Sequence, residues 1–122
     1  MKLEKKTLAD EPIFDRDAAL ARLGGDEALL KEVCEIFLGD YAAQTNEIEK
    51  ALSASDFTQV KRGFHSLKGA AANIGAERLS KLAAALEQQA SENDKSGVIE
   101  NLEFFRDCSK GLSEELKKFL VD

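Results

Sequence analysis

The only histidine of the chain, His65, lies in the stretch GFHSLKG, with Lys68 three residues and Gly69 four residues further along. A neutral imidazole nitrogen is a nucleophile that can be used near physiological pH. Residues three and four apart share one face of a helix, so the ammonium of Lys68 can reach an anion carried on the ring. These residue types at this spacing favour a histidine that carries a phosphoryl group.

The helix predicted around this stretch determines where the histidine points. His65 is turned about 100° from Phe64, which belongs to the apolar stripe, so we expect the imidazole to be at least partly exposed. Its neighbours on that face are basic or small, and we take four of them as candidate residues for docking a partner. The stripe consists of Phe57, Val60, Phe64, Leu67, Ala71 and Ile74, and the docking candidates are Thr58, Lys61, Arg62 and Ala72.

Gly69 is an unusual residue for the middle of a helix, where glycine costs about 1 kcal/mol relative to alanine. A missing methyl group beside an exposed imidazole would leave clearance for another macromolecule. Other interpretations stay open from the residues alone. An exposed helical histidine is commonly a plain surface residue, Lys68 can be a solvated charge, and Gly69 can serve close helix packing.

The remaining apolar patterns have helical periodicity and stop at recognisable caps, which predicts an all-α protein. We expect an antiparallel four-helix bundle with a short N-terminal covering helix over residues 13–122, preceded by a charged tail over residues 1–12. The predicted helices are a short one between Asp15 and Gly24, a second from Asp26 to about Ser53, a third from a cap at Ser55 or Asp56 to Gly75, a fourth in AERLSKLAAALEQQA closed by SENDKSG, and a fifth from Val98 to Leu120 that includes Gly111.

Composition excludes several classes of function. The net charge of −6 argues against general nucleic-acid binding, although residues 61–81 hold five Lys or Arg and one Glu, a local basic face suited to an acidic partner or a phosphate. No apolar run is long enough for a membrane helix, and no nucleotide-binding glycine motif is present. Cys34 and Cys108 are expected to be small buried or half-buried hydrophobes, and no metal site is predicted.

The motif HSLKGAAANIGAERL resembles the signature of the histidine-containing phosphotransfer (HPt) domains of bacterial multistep phosphorelays, H-x-[LIV]-K-G followed by small residues and a hydrophobe-glycine pair. FDRDAALARLGGDEALLKEVCEIF is similar to the opening of that family, and LAAALE to the helix after its active-site helix. The resemblance extends from about Ile13 to Leu120. Phe64 stands where many members carry alanine.

The resemblance implies that His65 accepts a phosphoryl group from a phosphoaspartate of one receiver domain and passes it to the aspartate of another. Lys68 would hold the phosphoryl oxygens and Gly69 would provide clearance. The resemblance further implies that the protein has no kinase activity of its own. Because the sequence shows neither a membrane helix nor the apolar centre of a signal peptide, we expect a cytoplasmic protein, and we expect it to be a monomer. Its partners would be response-regulator receivers or a hybrid sensor kinase, and the receiver would supply Mg²⁺, with no cofactor or metal bound by this chain.

Some family members place a polar side chain of the following helix against the histidine. The candidates here are Glu87, Gln88 and Gln89, and periodicity cannot choose among them because the helix phase across Gly75 is not fixed by the sequence. A glutamate in this place would add negative charge near a phosphoryl group, so we expect Glu87 to point aside or to lie in a structural pair.

Three alternatives to a free phosphorelay protein remain. A sensor-kinase dimerisation helix usually has an acidic residue after its histidine and a nucleotide-binding domain further on, whereas Ser66 follows His65 here. The chain can also be an HPt-like domain cut from a hybrid or chemotaxis-type kinase, although Met1 and the polar N-terminal segment favour a free-standing protein. A helical adaptor that transfers nothing is the third alternative.

Overall fold

The computed structural model describes residues 8–121, and this part of the chain contains helices and turns but no strand. The all-α bundle predicted from the sequence is confirmed. No helix in the described residues is long and apolar enough to cross a membrane. The helices are α1 (Arg16–Arg22), α2 (Glu27–Ser53), α3 (Phe57–Asn73), α4 (Glu77–Ser91) and α5 (Lys95–Val121).

Aspartate side chains begin three of these helices, as the sequence predicts. Asp15, Asp26 and Asp56 each accept a hydrogen bond from the backbone N–H three residues further along. Of the two caps considered for α3, the structure therefore selects Asp56, and Ser55 has a left-handed backbone with φ 55°. Gly75 has φ 76° and ends the turn after α3, because few other residues adopt that conformation without strain.

The four long helices surround one apolar core, and α3 packs most extensively against α4. At the centre, the ring of Phe64 meets the ring of Phe105 edge-on, with centroids 5.4 Å apart. Cys34 is buried and Cys108 half-buried, as expected for small hydrophobes. Burial raises the pKa of the Cys34 thiol to about 11, so this side chain stays protonated and apolar.

The last helix begins earlier than predicted. We expected SENDKSG to be a loop before Val98, but α5 starts at Lys95. The carboxylate of Asp94 accepts a hydrogen bond from the N–H of Gly97 at 2.9 Å and caps the helix. The glycine that suggested a loop lies inside the first turn, where a methyl group would overlap the Asp94 side chain.

Residues 8–12, which the sequence assigned to a charged tail, are packed against α4. Leu8 is buried, and the guanidinium of Arg78 donates to the backbone carbonyls of Ala9 and Glu11. The packed domain therefore begins before Ile13. The rest of the predicted tail, residues 1–7, lies outside the described residues.

Candidate functional site

His65 lies on the outer face of α3, where 67% of its side chain is exposed. Its neighbour Phe64 and Leu67 on the next turn are fully buried. These two core side chains fix the rotation of the helix about its axis and hold the imidazole outward. The exposure predicted from periodicity is therefore observed.

A carboxylate from the neighbouring helix joins the imidazole to the lysine. Nδ1 of His65 lies 3.0 Å from Oε2 of Glu87, and Nζ of Lys68 donates to Oε1 of the same carboxylate at 2.7 Å. The side chain of Glu87 is only 15% exposed, whereas that of Lys68 is 36% exposed. The three side chains form one hydrogen-bonded cluster, which we call the His65 cluster.

The protonation of the His65 cluster follows from the charge of Glu87. Burial alone would raise the pKa of this carboxyl group, but hydrogen bonds with Lys68 and His65 lower it more, and the net pKa lies below its ordinary value. An ionised carboxylate can only accept hydrogen bonds, so Nδ1 of His65 must carry the shared proton. In the neutral imidazole Nε2 then holds the lone pair and is the nucleophilic nitrogen.

The packing of α4 explains why Glu87 occupies this place. Leu86 is fully buried, and the hydroxyl of Ser80 donates to the backbone carbonyl of Lys68 at 3.0 Å, which fixes the register of α4 against α3. Of the two glutamines considered, Gln88 contacts Glu92, and Gln89 is buried beside Asn101. We expected Glu87 to point aside or to lie in a structural pair; it does not point aside, and it pairs with Lys68 and also contacts His65. The contact with His65 could not be predicted, because the sequence does not specify the phase of α4 across the Gly75 turn.

The surface beside His65 is open at Gly69. A methyl group built on Gly69 would meet nothing within 4 Å, so packing inside this chain does not require glycine there. Of the four docking candidates, Thr58, Lys61 and Arg62 are exposed, and Ala72 is half-buried.

The positive charge of this face is distributed differently from the prediction. Arg78 binds the backbone of residues 9 and 11, and Lys81 forms an ion pair with Glu11, so neither is free to meet a partner. Arg22 of α1, a guanidinium that the sequence pattern did not reveal, donates to the carbonyl of Ala72 and to the carboxylate of Glu77, so it is also paired within the chain. In the sequence, Arg22 is a lone arginine in the last turn of a short helix. No periodic pattern connects that position to α3, so its contact with α3 could not be predicted.

No group of three or more histidine, cysteine, aspartate or glutamate side chains in the described residues could hold a metal ion. The one carboxylate that contacts His65 already binds an ammonium and an imidazole N–H. Its chemistry suits the orientation of a nucleophile more than the coordination of a cation.

The site is therefore an exposed histidine, oriented by a carboxylate, on the outer face of an all-α bundle. A family model described as the Hpt domain matches residues 32–119, a range that contains the whole His65 cluster and Gly69. The chain belongs to the Hpt domain family and has a phosphotransfer role in phosphorelay signalling, and domains of this family interact with receiver domains and kinases. No curated protein and no solved structure matched the chain.

Proposed function

We propose that this protein relays a phosphoryl group from the aspartate of one receiver domain to the aspartate of another through a phosphohistidine at His65. The observation that carries the proposal is the contact between Nδ1 of His65 and Oε2 of Glu87. It fixes the ring tautomer and leaves Nε2 as the nitrogen with a lone pair, on a side chain that is mostly exposed. Gly69, one turn away, gives a receiver room to approach.

The transfer step needs little covalent help from the protein. The lone pair of Nε2 attacks phosphorus in line, the N–P bond forms, and the O–P bond to the aspartate breaks, so that its electron pair returns to the carboxylate. The imidazole becomes positively charged as this happens, and the ionised Glu87 stabilises that charge through the Nδ1–H hydrogen bond. The second transfer reverses these events on another receiver.

Lys68 provides a cation for the transferred group. Its ammonium donates to Glu87 before phosphorylation, and an ammonium can donate up to three hydrogen bonds. We propose that it also binds the phosphoryl oxygens once the N–P bond has formed. The receiver supplies Mg²⁺ from its own acidic residues, since the His65 cluster offers an ammonium in place of a metal ligand set.

The direct test is transfer of label from a phosphorylated receiver domain. We expect the protein to acquire acid-labile, base-stable label, and His65→Gln to abolish this while leaving helical content and melting temperature unchanged. Label that persists on His65→Gln would contradict the site. A protein that binds the phosphorylated receiver but acquires no label would instead support a helical adaptor.

A further inference from the structure

A cavity of about 600 Å³ opens between α2 and α5. Sites for small ligands commonly have volumes of roughly 300–1,000 Å³ and apolar linings with a few polar groups at the edge. This cavity has that construction, because its inner wall is apolar and its rim carries hydroxyl and charged groups. The inner wall is formed by Leu38, Tyr41, Ile48, Phe64, Leu102 and Phe105.

The cavity is separate from the His65 cluster. His65 and Glu87 lie along the seam between α3 and α4, whereas the cavity lies along the seam between α2 and α5. Phe64 contributes to its wall from the core side, next in sequence to His65. Phosphotransfer chemistry therefore does not account for this cavity.

One end of the cavity is closed by an ion pair. Arg106 of α5 reaches Glu49 of α2 across the seam, and a second, shallower cavity lies beyond this bridge. From Leu102 to Lys117, the first and last lining residues on α5, the helix rises by roughly 22 Å, which sets the length of the space. A small molecule with an apolar chain can lie in the cavity without breaking this ion pair.

The free charges at the rim favour an anionic head group. Lys110 and Lys117 are exposed and form no ion pair with a described residue, and Glu114 lies between them on the same helix. The two free ammonium groups outnumber the one free carboxylate. Such a local excess of positive charge attracts an anion, even on a chain whose net charge is −6.

We propose that this cavity binds a free, amphipathic carboxylate, with its apolar chain against the partly exposed Leu38, Tyr41 and Leu102 and its carboxylate beside Lys110 and Lys117. Burial of the chain supplies most of the affinity, and the two lysines select the charge of the head group. The proposal does not depend on phosphotransfer, so either can fail without the other.

Dodecanoate, titrated below its aggregation concentration and followed by amide NMR shifts, tests the proposal. We expect saturable shifts confined to residues around the cavity on α2, α3 and α5. Dodecyltrimethylammonium, which has the same chain and the opposite charge, should bind at least about fivefold more weakly because the lysines repel its head group. Equal affinity for the two probes would overturn the choice of an anion.

Two variants locate the site. Ser113→Phe fills the cavity mouth and should weaken dodecanoate binding by at least about tenfold, whereas Ser96→Phe, on the same helix outside the cavity, should not. The double variant Lys110→Gln/Lys117→Gln should weaken it about fivefold, with Lys118→Gln as the control. Circular dichroism checks that each variant folds. If Ser113→Phe does not fold, the effect of Lys110→Gln/Lys117→Gln on dodecanoate affinity decides whether the ligand binds at this cavity.

Besides equal affinity for the two probes, three outcomes would overturn the proposal. The first is the absence of saturable shifts in the wild-type protein, and the second is unchanged binding to the folded double-lysine variant. The third is sedimentation showing that this face is occupied by a second copy of the chain before dodecanoate is added. In that case the apolar wall is a dimer interface and not a ligand site.

Discussion

The negative charge of Glu87 has opposite effects on the imidazole of His65 and on a phosphoryl group bound to it. Toward His65 its negative charge favours attack, because it stabilises the positive charge that develops on the imidazole. Toward a phosphoryl group already on the ring the same charge is repulsive, and the ammonium of Lys68 offsets only part of it. Under the proposed function, one carboxylate would thus promote formation of a phosphohistidine at His65 and also limit its lifetime, which suits a carrier that must give the group away.

Glu87→Gln should separate these two effects, because the amide keeps the size of the side chain and loses its charge. We expect transfer to His65 to slow about tenfold, equivalent to about 1.4 kcal/mol in the barrier, and the phosphohistidine to hydrolyse more slowly. Rapid-quench measurement of labelled protein gives both rates. Gln88→Ala, one residue along the same helix and in contact with Glu92, is the matched control. An unchanged transfer rate in Glu87→Gln would contradict the stabilising role.

The relative placement of His65, Lys68 and Gly69 could be predicted from the sequence because all three belong to one helix, whose geometry converts spacing into position. Their proposed roles came from the family resemblance. Glu87 could not be assigned in the same way. It comes from another helix, and its orientation depends on the left-handed turn at Gly75 and on the bond between Ser80 and the backbone of Lys68. Neither detail leaves a periodic signal in the sequence.

Two glycines of α3, six residues apart, occur in different packing environments. A methyl group on Gly63 would overlap the side chain of Ile48, so this glycine lets α2 and α3 approach closely. A methyl group on Gly69 would meet open space. The first glycine is explained by folding, and the second needs an explanation outside the chain, such as a docking partner.

Alanine at the two positions should therefore change stability in opposite directions. Gly69→Ala should raise the free energy of unfolding by about 1 kcal/mol through helix propensity. Gly63→Ala should lower it by about 1–3 kcal/mol through overpacking against Ile48. Urea unfolding measures both, and each variant is the control for the other. The packing argument would fail if Gly63→Ala were as stable as Gly69→Ala.

The long helices were predictable because apolar stripes and aspartate caps agree along most of the chain. Prediction was less accurate where a polar residue could either lie in a loop or cap a helix. Asp94 was assigned to a loop, but its carboxylate caps α5.

Across the whole molecule, the basic residues divide into structural and available groups. Arg78 and Lys81 hold residues 9–11 against the bundle, which leaves Lys61 and Arg62 as exposed cations that form no ion pair within the described residues. The rest of the surface belongs to an acidic chain with a net charge of −6. A small positive area beside His65 can therefore orient an acidic receiver, which the remaining surface repels.

Reversing the charges of Lys61 and Arg62 should weaken receiver binding more than it slows the transfer step. We expect Lys61→Glu/Arg62→Glu to raise the receiver concentration needed for half-maximal transfer by about tenfold at low salt, with little change in the maximal rate, because neither residue contacts the His65 cluster. At 0.5 M salt, screening should bring the variant close to the wild type, since the Debye length falls to roughly 4–5 Å. Lys118→Glu on α5 is the matched control for net charge. If Lys118→Glu raised the half-maximal receiver concentration by as much per reversed charge, the total charge of the protein would govern docking and no local positive area would be needed.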